Sequence, residues 1–418
     1  MTSKIKVTLK TSSLVPKIKV ILKKHTDASC LTCDPSSPSL PLPLPSPSPS
    51  PSPSPSPLKT LPSTTKKTRG QFYTTNYSYI LQDLNIPNGT CQIIEPFAGQ
   101  GDLVDFVHER FPHQEVECYD IEPKQSYIIQ RDTLANPPSY KDKFIITNPP
   151  YLARNKTEDK SYYDLYQLND LYKCLIANLI QDQANGGILI IPLNFWSSVR
   201  EADISLRQKF LQIYEVPQIN VFEENVFNDT SYTICSFQFN QKTNEPNGPD
   251  GPDSPTHITI YPSHHTIETS IDESCDYIVG GQIYHLPTQK TYVINRLTHL
   301  NQEQDQKSKT NLLVKCIDDS SAKPISLSYV DDDHIYIDTT PKLSARTYMT
   351  LVIDPPISQE RQKRLASEFN QFLDEYRTRY HSLFLTNYRE SKDIARKRIS
   401  FGLVYQIVQY LLERTHIN

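Results

Sequence analysis

The sequence predicts an α/β fold, in which a mostly parallel, doubly wound sheet is followed by a mixed α+β C-terminal domain. Strands that alternate with helices are typical of βαβ units, and the helical stretch 162–182 lies between two strand-like runs. Beyond residue 257 the pattern changes to further strand-like runs and then to helical spacing over 359–414. The strand-like apolar runs of the first part occupy 91–96, 116–121, 143–148, 187–193 and 232–239.

Composition divides the chain into three segments. Residues 1–66 contain a basic repeat, KIKVTLK and KIKVILK, and a Ser-Pro-rich spacer that is expected to be extended and solvated. The repeat is either an arm that touches phosphate or an appendage with solvated lysines. Residues 67–242 form the first globular segment and 257–418 the second, with a polar break between them.

The net charge, the cysteines and the absence of long apolar runs limit the kind of protein that the sequence can encode. The 418 residues carry a net charge of -4, so a nucleic-acid partner would have to bind a local basic patch. The eight cysteines are scattered through apolar runs, which is typical of reduced thiols rather than of a secreted disulfide framework. With neither a signal peptide nor a membrane span in the pattern, we expect a soluble intracellular protein.

Polar residues follow successive strands where a ligand could bind. The run EPFAGQG (95–101) places an acid at a strand end and then small residues, which let a ligand approach the backbone before a helix begins. Asp120 ends the next strand, at the position where ribose hydroxyls are bound in such folds. Asp132 follows, and the run 144–147 then breaks into Asn-Pro-Pro-Tyr, where two prolines must end the strand.

Taken in order, these segments resemble the S-adenosylmethionine-dependent DNA adenine-N6 methyltransferases of the NPPY type that have a C-terminal target-recognition domain, as in restriction-modification systems. The resemblance covers roughly residues 68–240, and Thr75 stands where the family has proline. It implies a Rossmann-like methyltransferase sheet that ends in an antiparallel hairpin. The matching segments are RGQFYTT (69–75), EPFAGQG (95–101), YDIEP (119–123), RDTL (131–134), TNPPY (147–151), GGILIIPLNFW (186–196) and VFNDTSYTICSFQF (226–239).

The resemblance also implies the cofactor, S-adenosylmethionine without a metal, and the site residues. Glu95 would meet the methionine ammonium group, Asp120 the ribose and Asp132 the adenine amino group. The implied catalytic residues are Asn148, Pro149, Pro150 and Tyr151. The implied cofactor-binding residues are Thr74, Glu95, Pro96, Phe97, Ala98, Gly99, Asp120, Ile121, Asp132, Thr133 and Asn148. Tyr151 and Phe227 would stack on the target base.

The Asn-Pro-Pro-Tyr run suits transfer to an exocyclic amino group. That nitrogen is a poor nucleophile because its lone pair is delocalised into the base. The Asn148 side-chain oxygen and the Pro149 carbonyl could accept its hydrogens, and Tyr151 could offer a face to an extruded base. No metal is needed for this chemistry, and the run DDDH (331–334) is expected to be an exposed turn rather than a metal site.

Other acceptors and partners remain open. The same loop serves RNA adenine and protein glutamine methylation, and a non-catalytic nucleic-acid-binding module is the alternative from another class. Basic residues interleaved with tyrosines between 361 and 398 suit phosphate contact and stacking, or belong to a solvated helix face. The expected partner is double-stranded DNA without a membrane, and a separate cognate restriction endonuclease is a candidate partner.

Overall fold

The computed structural model describes residues 70, 72–90, 92–227, 230, 232–242, 255–303, 305–340, 347–387 and 396–414. The basic repeat and the spacer of segment 1–66 lie outside these residues. The chain divides into two units, residues 1–60 and 61–418, and everything described below belongs to the second.

Helices and strands alternate in the first half of the described chain and segregate in the second. The α-helices are α1 (Tyr77–Ile80), α2 (Asp102–Arg110), α3 (Ser161–Tyr166), α4 (Leu171–Asp182), α5 (Asn194–Ser197), α6 (Glu201–Ile213), α7 (Gln359–Tyr380) and α8 (Phe401–Arg414). The strands are β1 (Ile93–Glu95), β2 (Val116–Asp120), β3 (Ile129–Gln130), β4 (Phe144–Thr147), β5 (Gly186–Pro192), β6 (Tyr214–Phe222), β7 (Ile234–Gln241), β8 (Thr256–Tyr261), β9 (His265–Thr269), β10 (Val293–Arg296), β11 (Lys309–Lys315), β12 (Ser326–Tyr329), β13 (Tyr348–Asp354), β14 (Thr386–Asn387) and β15 (Lys397–Arg398).

The first sheet has the strand order β3-β2-β1-β4-β5-β7-β6-β8-β9. Strands β3, β2, β1, β4 and β5 are parallel, and β7 is antiparallel to both β5 and β6. Every residue of β4 and β5 is buried, as expected for central parallel strands that are covered on both faces. The predicted doubly wound α/β sheet with a late antiparallel hairpin is therefore confirmed.

The first sheet extends beyond the predicted segment boundary at residue 257. Strand β8 pairs in parallel with β6, and β9 pairs antiparallel with β8. The rings of Phe222 and Tyr261 stack with their centroids 5.4 Å apart, and Ile258 and Ile260 are buried against the same core. The predicted boundary is thus wrong for 257–269, because the polar run before it connects two strands of one sheet.

The helical stretch predicted for 162–182 is broken between α3 and α4. Asp170 forms a bridge with Ala153, and the Leu171 backbone N–H donates to the Leu152 carbonyl at 3.3 Å. These contacts draw the chain back to the segment that follows Tyr151. The break therefore places α3 beside the Asn-Pro-Pro-Tyr loop, which a continuous helix could not do.

The second sheet is antiparallel, with the order β10-β13-β11-β12. Helix α7 packs against β11 and β12 through buried side chains that include Leu365, Phe369 and Leu373. Its first turn is capped by the Ser358 hydroxyl, which accepts from the Arg361 backbone N–H at 3.2 Å. No helix within the described ranges is both long and apolar enough to cross a membrane.

The strand order reverses at β1, which lies between β2 and β4. Because these strands are parallel, their carboxyl ends meet at one edge of the sheet, at Glu95, Asp120 and Thr147. Ligands of open α/β sheets bind in the crevice at such a reversal. The fold therefore directs attention to the residues that follow these three strands.

Candidate active site

The turn after β1 is held against the end of β2. Gly99 has a φ of +55°, and a Cβ at this position would lie 3.1 Å from the Tyr73 ring, so both conformation and space favour glycine. The Gly99 N–H donates to Asp120 Oδ2 at 2.9 Å, and the Ala98 N–H donates to the Tyr119 carbonyl at 2.8 Å. Helix α2 begins soon after this turn, at Asp102.

The Asp120 carboxylate is fixed by two backbone donors and still faces a cavity. Besides the bond from Gly99, its Oδ1 accepts from the Glu122 N–H at 2.7 Å. A carboxylate can accept about four hydrogen bonds, so Asp120 keeps acceptor capacity for a ligand. The side chain is buried yet lines the cavity described below.

Asp132 is held in a similar way, with one additional side-chain partner. Its Oδ1 accepts from the backbone N–H groups of Leu134 at 3.2 Å and Ala135 at 2.9 Å. Its Oδ2 accepts from the Tyr162 hydroxyl at 2.5 Å. Burial and this hydrogen bond raise the pKa of Tyr162, so the phenol remains a donor at neutral pH. Helix α3 thereby covers the Asp132 side of the cavity.

A cavity of about 330 Å³ opens at the carboxyl edge of β1, β2 and β4. Predicted site residues in its wall are Phe97, Gly99, Asp120, Ile121, Asp132, Thr133, Asn148 and Pro150. The other predicted residues do not line it: Thr74, Glu95, Pro96, Ala98, Pro149, Tyr151 and Phe227. The structure thus brings Asp120, Asp132 and Asn148 together around one space.

Sequence reasoning missed much of the cavity wall. The additional lining residues are Phe72, Tyr73, Arg131, Leu134, Leu152, Thr157, Asp159, Tyr162, Tyr163 and Leu171. Several of these follow the Asn-Pro-Pro-Tyr loop, where the break between α3 and α4 turns them towards the cavity. The adjacent tyrosines 162 and 163, close behind that loop, were the signal that could have found them.

The Asn148 amide is held by the segment that precedes α1. Its Nδ2 donates to the Phe72 carbonyl at 2.8 Å and to the Thr74 hydroxyl oxygen at 2.9 Å. A carbonyl cannot donate, so the nitrogen must face Phe72, and Oδ1 must point the other way. The Tyr151 hydroxyl is placed to donate its single proton to Asn148 Oδ1 or to the Ile190 carbonyl, which lies 2.8 Å from the hydroxyl oxygen.

The two rings predicted to stack on a target base both contact a third ring. Tyr151 and Phe227 are buried, and the Phe72 ring stacks on each of them. The Phe72 centroid is 5.2 Å from that of Tyr151 and 6.0 Å from that of Phe227, with interplanar angles of 27° and 26°. The open Tyr151 face expected from the sequence is therefore covered by Phe72.

Glu95 is a buried carboxyl with one unpartnered oxygen. Its Oε1 accepts from the Phe97 N–H at 2.9 Å and from the Thr147 hydroxyl, whereas Oε2 has no hydrogen-bond partner. Burial raises the pKa of Glu95 to about 8, and the nearby charge of Asp120 adds to the rise. A cationic ligand group at Oε2 would offset the cost of ionising this carboxyl.

Arginines that the sequence suggested for phosphate contact form ion pairs inside the chain. Arg361 and Arg364 both bind Glu368, at 2.8 and 2.7 Å. The other pairs are Arg377 with Asp319 at 2.7 Å and Arg396 with Asp318 at 2.7 Å. In the described chain no group of three His, Cys, Asp or Glu side chains is placed to hold a metal ion.

No protein-family model and no curated protein sequence matches the chain. Solved structures do resemble part of it. A modification subunit of a putative type I restriction enzyme from Vibrio vulnificus is 14% identical with a TM-score of 0.35, and the match covers 46% of this chain and 47% of that one. A putative class I S-adenosylmethionine-dependent methyltransferase from Listeria monocytogenes is 12% identical with a TM-score of 0.33, covering 44% and 61%.

A type I restriction-modification methyltransferase subunit from Streptococcus thermophilus is likewise 12% identical, with a TM-score of 0.34 and coverage of 46% and 48%. The match thus spans about half to three fifths of the length of these three proteins. At such identities and scores the likeness carries no conclusion about activity, which has to come from the site itself.

Proposed function

We propose that this protein is a methyltransferase that transfers a methyl group from S-adenosylmethionine to the N6 amino group of adenine in double-stranded DNA. The observation that supports it best is the Asn148 amide. Its nitrogen donates to Phe72 and Thr74, and its oxygen accepts from the Tyr151 hydroxyl. The oxygen keeps a second lone pair for a substrate hydrogen, at the wall of a cavity that Asp120, Asp132 and Asp159 line.

The cavity suits the proposed cofactor in size and in chemistry. Its volume of about 330 Å³ falls within the range of roughly 300–1,000 Å³ that is typical of small-molecule sites. In this assignment Asp120 accepts from the ribose hydroxyls and Asp132 accepts from the adenine amino group. Glu95 is not among the residues that line the cavity, but its unpartnered Oε2 would gain a partner if the ammonium group of the cofactor reached it, because a buried carboxylate needs a positive charge beside it.

The proposed mechanism uses Asn148 and the backbone of the Asn-Pro-Pro-Tyr loop. Asn148 Oδ1 and the Pro149 carbonyl accept the two hydrogens of the adenine amino group, which favours a tetrahedral nitrogen with an available lone pair. S-adenosylmethionine supplies the methyl group when bound. Loss of one nitrogen proton to water then restores a neutral amine, and the rate gain comes mainly from positioning.

Adenine has to leave the duplex to reach this loop, and flipping is how enzymes reach a base inside DNA. We assign target recognition to the second sheet with α7 and α8, and we regard a separate cognate restriction endonuclease as a candidate partner. The ion-paired arginines listed above favour recognition by other basic residues of that part of the chain.

The test is methyl transfer from labelled S-adenosylmethionine to unmethylated duplex DNA, with the modified nucleosides identified by mass spectrometry. We expect N6-methyladenine with the full chain, and none with Asn148→Ala, which should still bind the cofactor. Asn185→Ala, an exposed amide before β5, is the matched control and should behave like the parent. Any other methylated nucleoside would contradict the proposed acceptor.

RNA adenine and protein glutamine are tested with the same labelled cofactor. Label in RNA or protein but not in DNA would replace the proposed acceptor and keep the chemistry of Asn148. Cofactor binding without transfer to any acceptor would favour a non-catalytic module. Absence of cofactor binding would overturn the proposal as a whole.

A further inference from the structure

We infer that Thr74 is a positioning residue that orients the Asn148 amide for catalysis, rather than a contact to the cofactor. The geometry supports the positioning role of Thr74, and the effect of that role on catalysis rests on the proposed function. Thr74 is 3% exposed and does not line the described cavity. Its hydroxyl oxygen accepts from Asn148 Nδ2 at 2.9 Å, across 74 residues of chain.

A primary amide has two N–H donors and one oxygen, and the reaction needs the oxygen to face the substrate. The Phe72 carbonyl selects which end of the Asn148 amide faces the 72–74 segment, because a carbonyl accepts from nitrogen and repels oxygen. One such bond still permits rotation about its own axis. The second bond, to Thr74, fixes the plane of the amide and with it the direction of Oδ1.

The Tyr151 hydroxyl completes this arrangement on the other side. It has a single proton and two acceptors within reach, Asn148 Oδ1 and the Ile190 carbonyl at 2.8 Å. When the proton is donated to Asn148 Oδ1, the second lone pair of Oδ1 is available to a substrate amino group. Burial raises the pKa of Tyr151 well above its usual range, so the phenol stays neutral.

Thr74→Val keeps the shape of the side chain and removes the acceptor, while Thr74→Ser keeps the acceptor. We expect Thr74→Val to lower kcat about tenfold, the loss that corresponds to one hydrogen bond, with little change in the KM for the cofactor. Thr74→Ser should restore kcat. A Thr74→Val enzyme with parental kcat, or a Thr74→Ser enzyme as slow as Thr74→Val, would overturn the inference.

A second readout does not depend on activity. The side-chain amide protons of Asn148 can be assigned by NMR from the signals that disappear in Asn148→Asp. We expect one of the two protons to shift and to exchange faster with solvent in Thr74→Val, but not in Thr74→Ser. Unchanged signals would overturn the positioning role, whereas altered signals in a protein that methylates no DNA would leave that role and refute the proposed function.

A separate observation assigns a role to the Phe72 ring. We infer that Phe72 occupies the slot that a flipped base takes during the reaction. Its ring stacks on both Tyr151 and Phe227, with interplanar angles of 27° and 26°, as a base would stack on these two rings. Phe72 also lines the cofactor cavity, so its ring stands where the target base and the methyl donor would meet.

The probe for this slot is 2-aminopurine 2′-deoxyriboside, whose fluorescence is quenched on stacking. We expect Phe72→Ala to bind it at least tenfold more tightly than the parent, with Phe72→Leu intermediate. The additional change Phe227→Ala should abolish the gain, because it removes one wall. Equal binding by parent and Phe72→Ala, or a gain that survives loss of Phe227, would overturn the assignment, whichever acceptor the enzyme methylates.

Discussion

Replacing Glu95 with glutamine should remove a pH dependence of stability that this one carboxyl imposes. Oε1 accepts two hydrogen bonds in the folded protein, and a glutamine oxygen can accept the same two. The glutamine nitrogen would take the place of Oε2, which has no partner. The substitution therefore preserves the two accepted hydrogen bonds and removes the ability to ionise. The buried N–H groups of glutamine add a cost that does not depend on pH.

The magnitude follows from the pKa of Glu95, which rises from 4.5 to about 8 on folding. A folded-state pKa above the unfolded value means that the folded protein binds the extra proton between these pH values. The contribution of Glu95 to the free energy of unfolding is therefore fully present below pH 4.5 and is lost as the pH rises towards 8. The slope is about 1.4 kcal/mol per pH unit, which gives about 5 kcal/mol over the full interval.

The assay is urea unfolding at several pH values between 5 and 8.5, followed through Trp196, the single tryptophan of the chain and a buried one. Relative to the parent, Glu95→Gln should gain about 2–3 kcal/mol in the free energy of unfolding between pH 5 and pH 7. Glu115→Gln, at an exposed position, controls for the loss of one charge. Parallel stability curves for parent and Glu95→Gln would refute the reasoning.

Three other perturbations test the site and its support. Asp120→Ala should weaken S-adenosylmethionine binding at least a hundredfold by calorimetry, because it removes the acceptor of the Gly99 N–H as well as the proposed ribose acceptor. An affinity equal to that of a Glu115→Ala control would remove Asp120 from the site. Lys173→Met should lower the free energy of unfolding in urea by about 3–5 kcal/mol, since it leaves the buried Asp203 without its ion-pair partner at 2.6 Å. The double variant with Asp203→Leu should recover most of that loss. A double variant less stable than Lys173→Met would contradict the pairing. Ending the chain at residue 256 should yield insoluble protein, because the buried strand β6 loses β8; a soluble, cofactor-binding truncation would refute the continuity of the sheet.

The sequence predicted the elements of the site whose position depends on strand order. Glu95 and Asp120 end strands β1 and β2, and Asn148 follows β4. The carboxyl ends of neighbouring parallel strands meet at one edge, so the proximity of these residues follows from the fold class alone. The pattern could not predict the partner of Asn148 Nδ2, because Thr74 lies 74 residues away and its contact depends on how the chain before α1 packs. The same holds for the ring of Phe72 and for the break at Asp170.

The boundary error at residue 257 has a similar physical origin. A polar, proline-rich run has the same composition whether it joins two domains or two strands of one sheet. Which of the two it joins depends on whether the next strand can pair with an unpaired edge of the preceding sheet. Strand β6 offers such an edge, and Thr256–Tyr261 has the apolar alternation to pair with it. The second sheet, by contrast, begins at Val293, well after the polar run.

The charges around the cavity distinguish between two kinds of ligand that such folds bind, a dinucleotide with phosphate groups and a positively charged cofactor. Dinucleotide-binding folds place a pyrophosphate at the glycine turn, where free N–H groups attract a negative charge. Here the Gly99 N–H is bound to Asp120, and Asp132 and Asp159 also line the cavity. The guanidinium of Arg131 is directed to the carbonyls of residues 136 and 137. A phosphate would meet carboxylates at this edge, whereas a cation would be stabilised by them, so the site favours a positively charged cofactor over a nucleotide with phosphate groups.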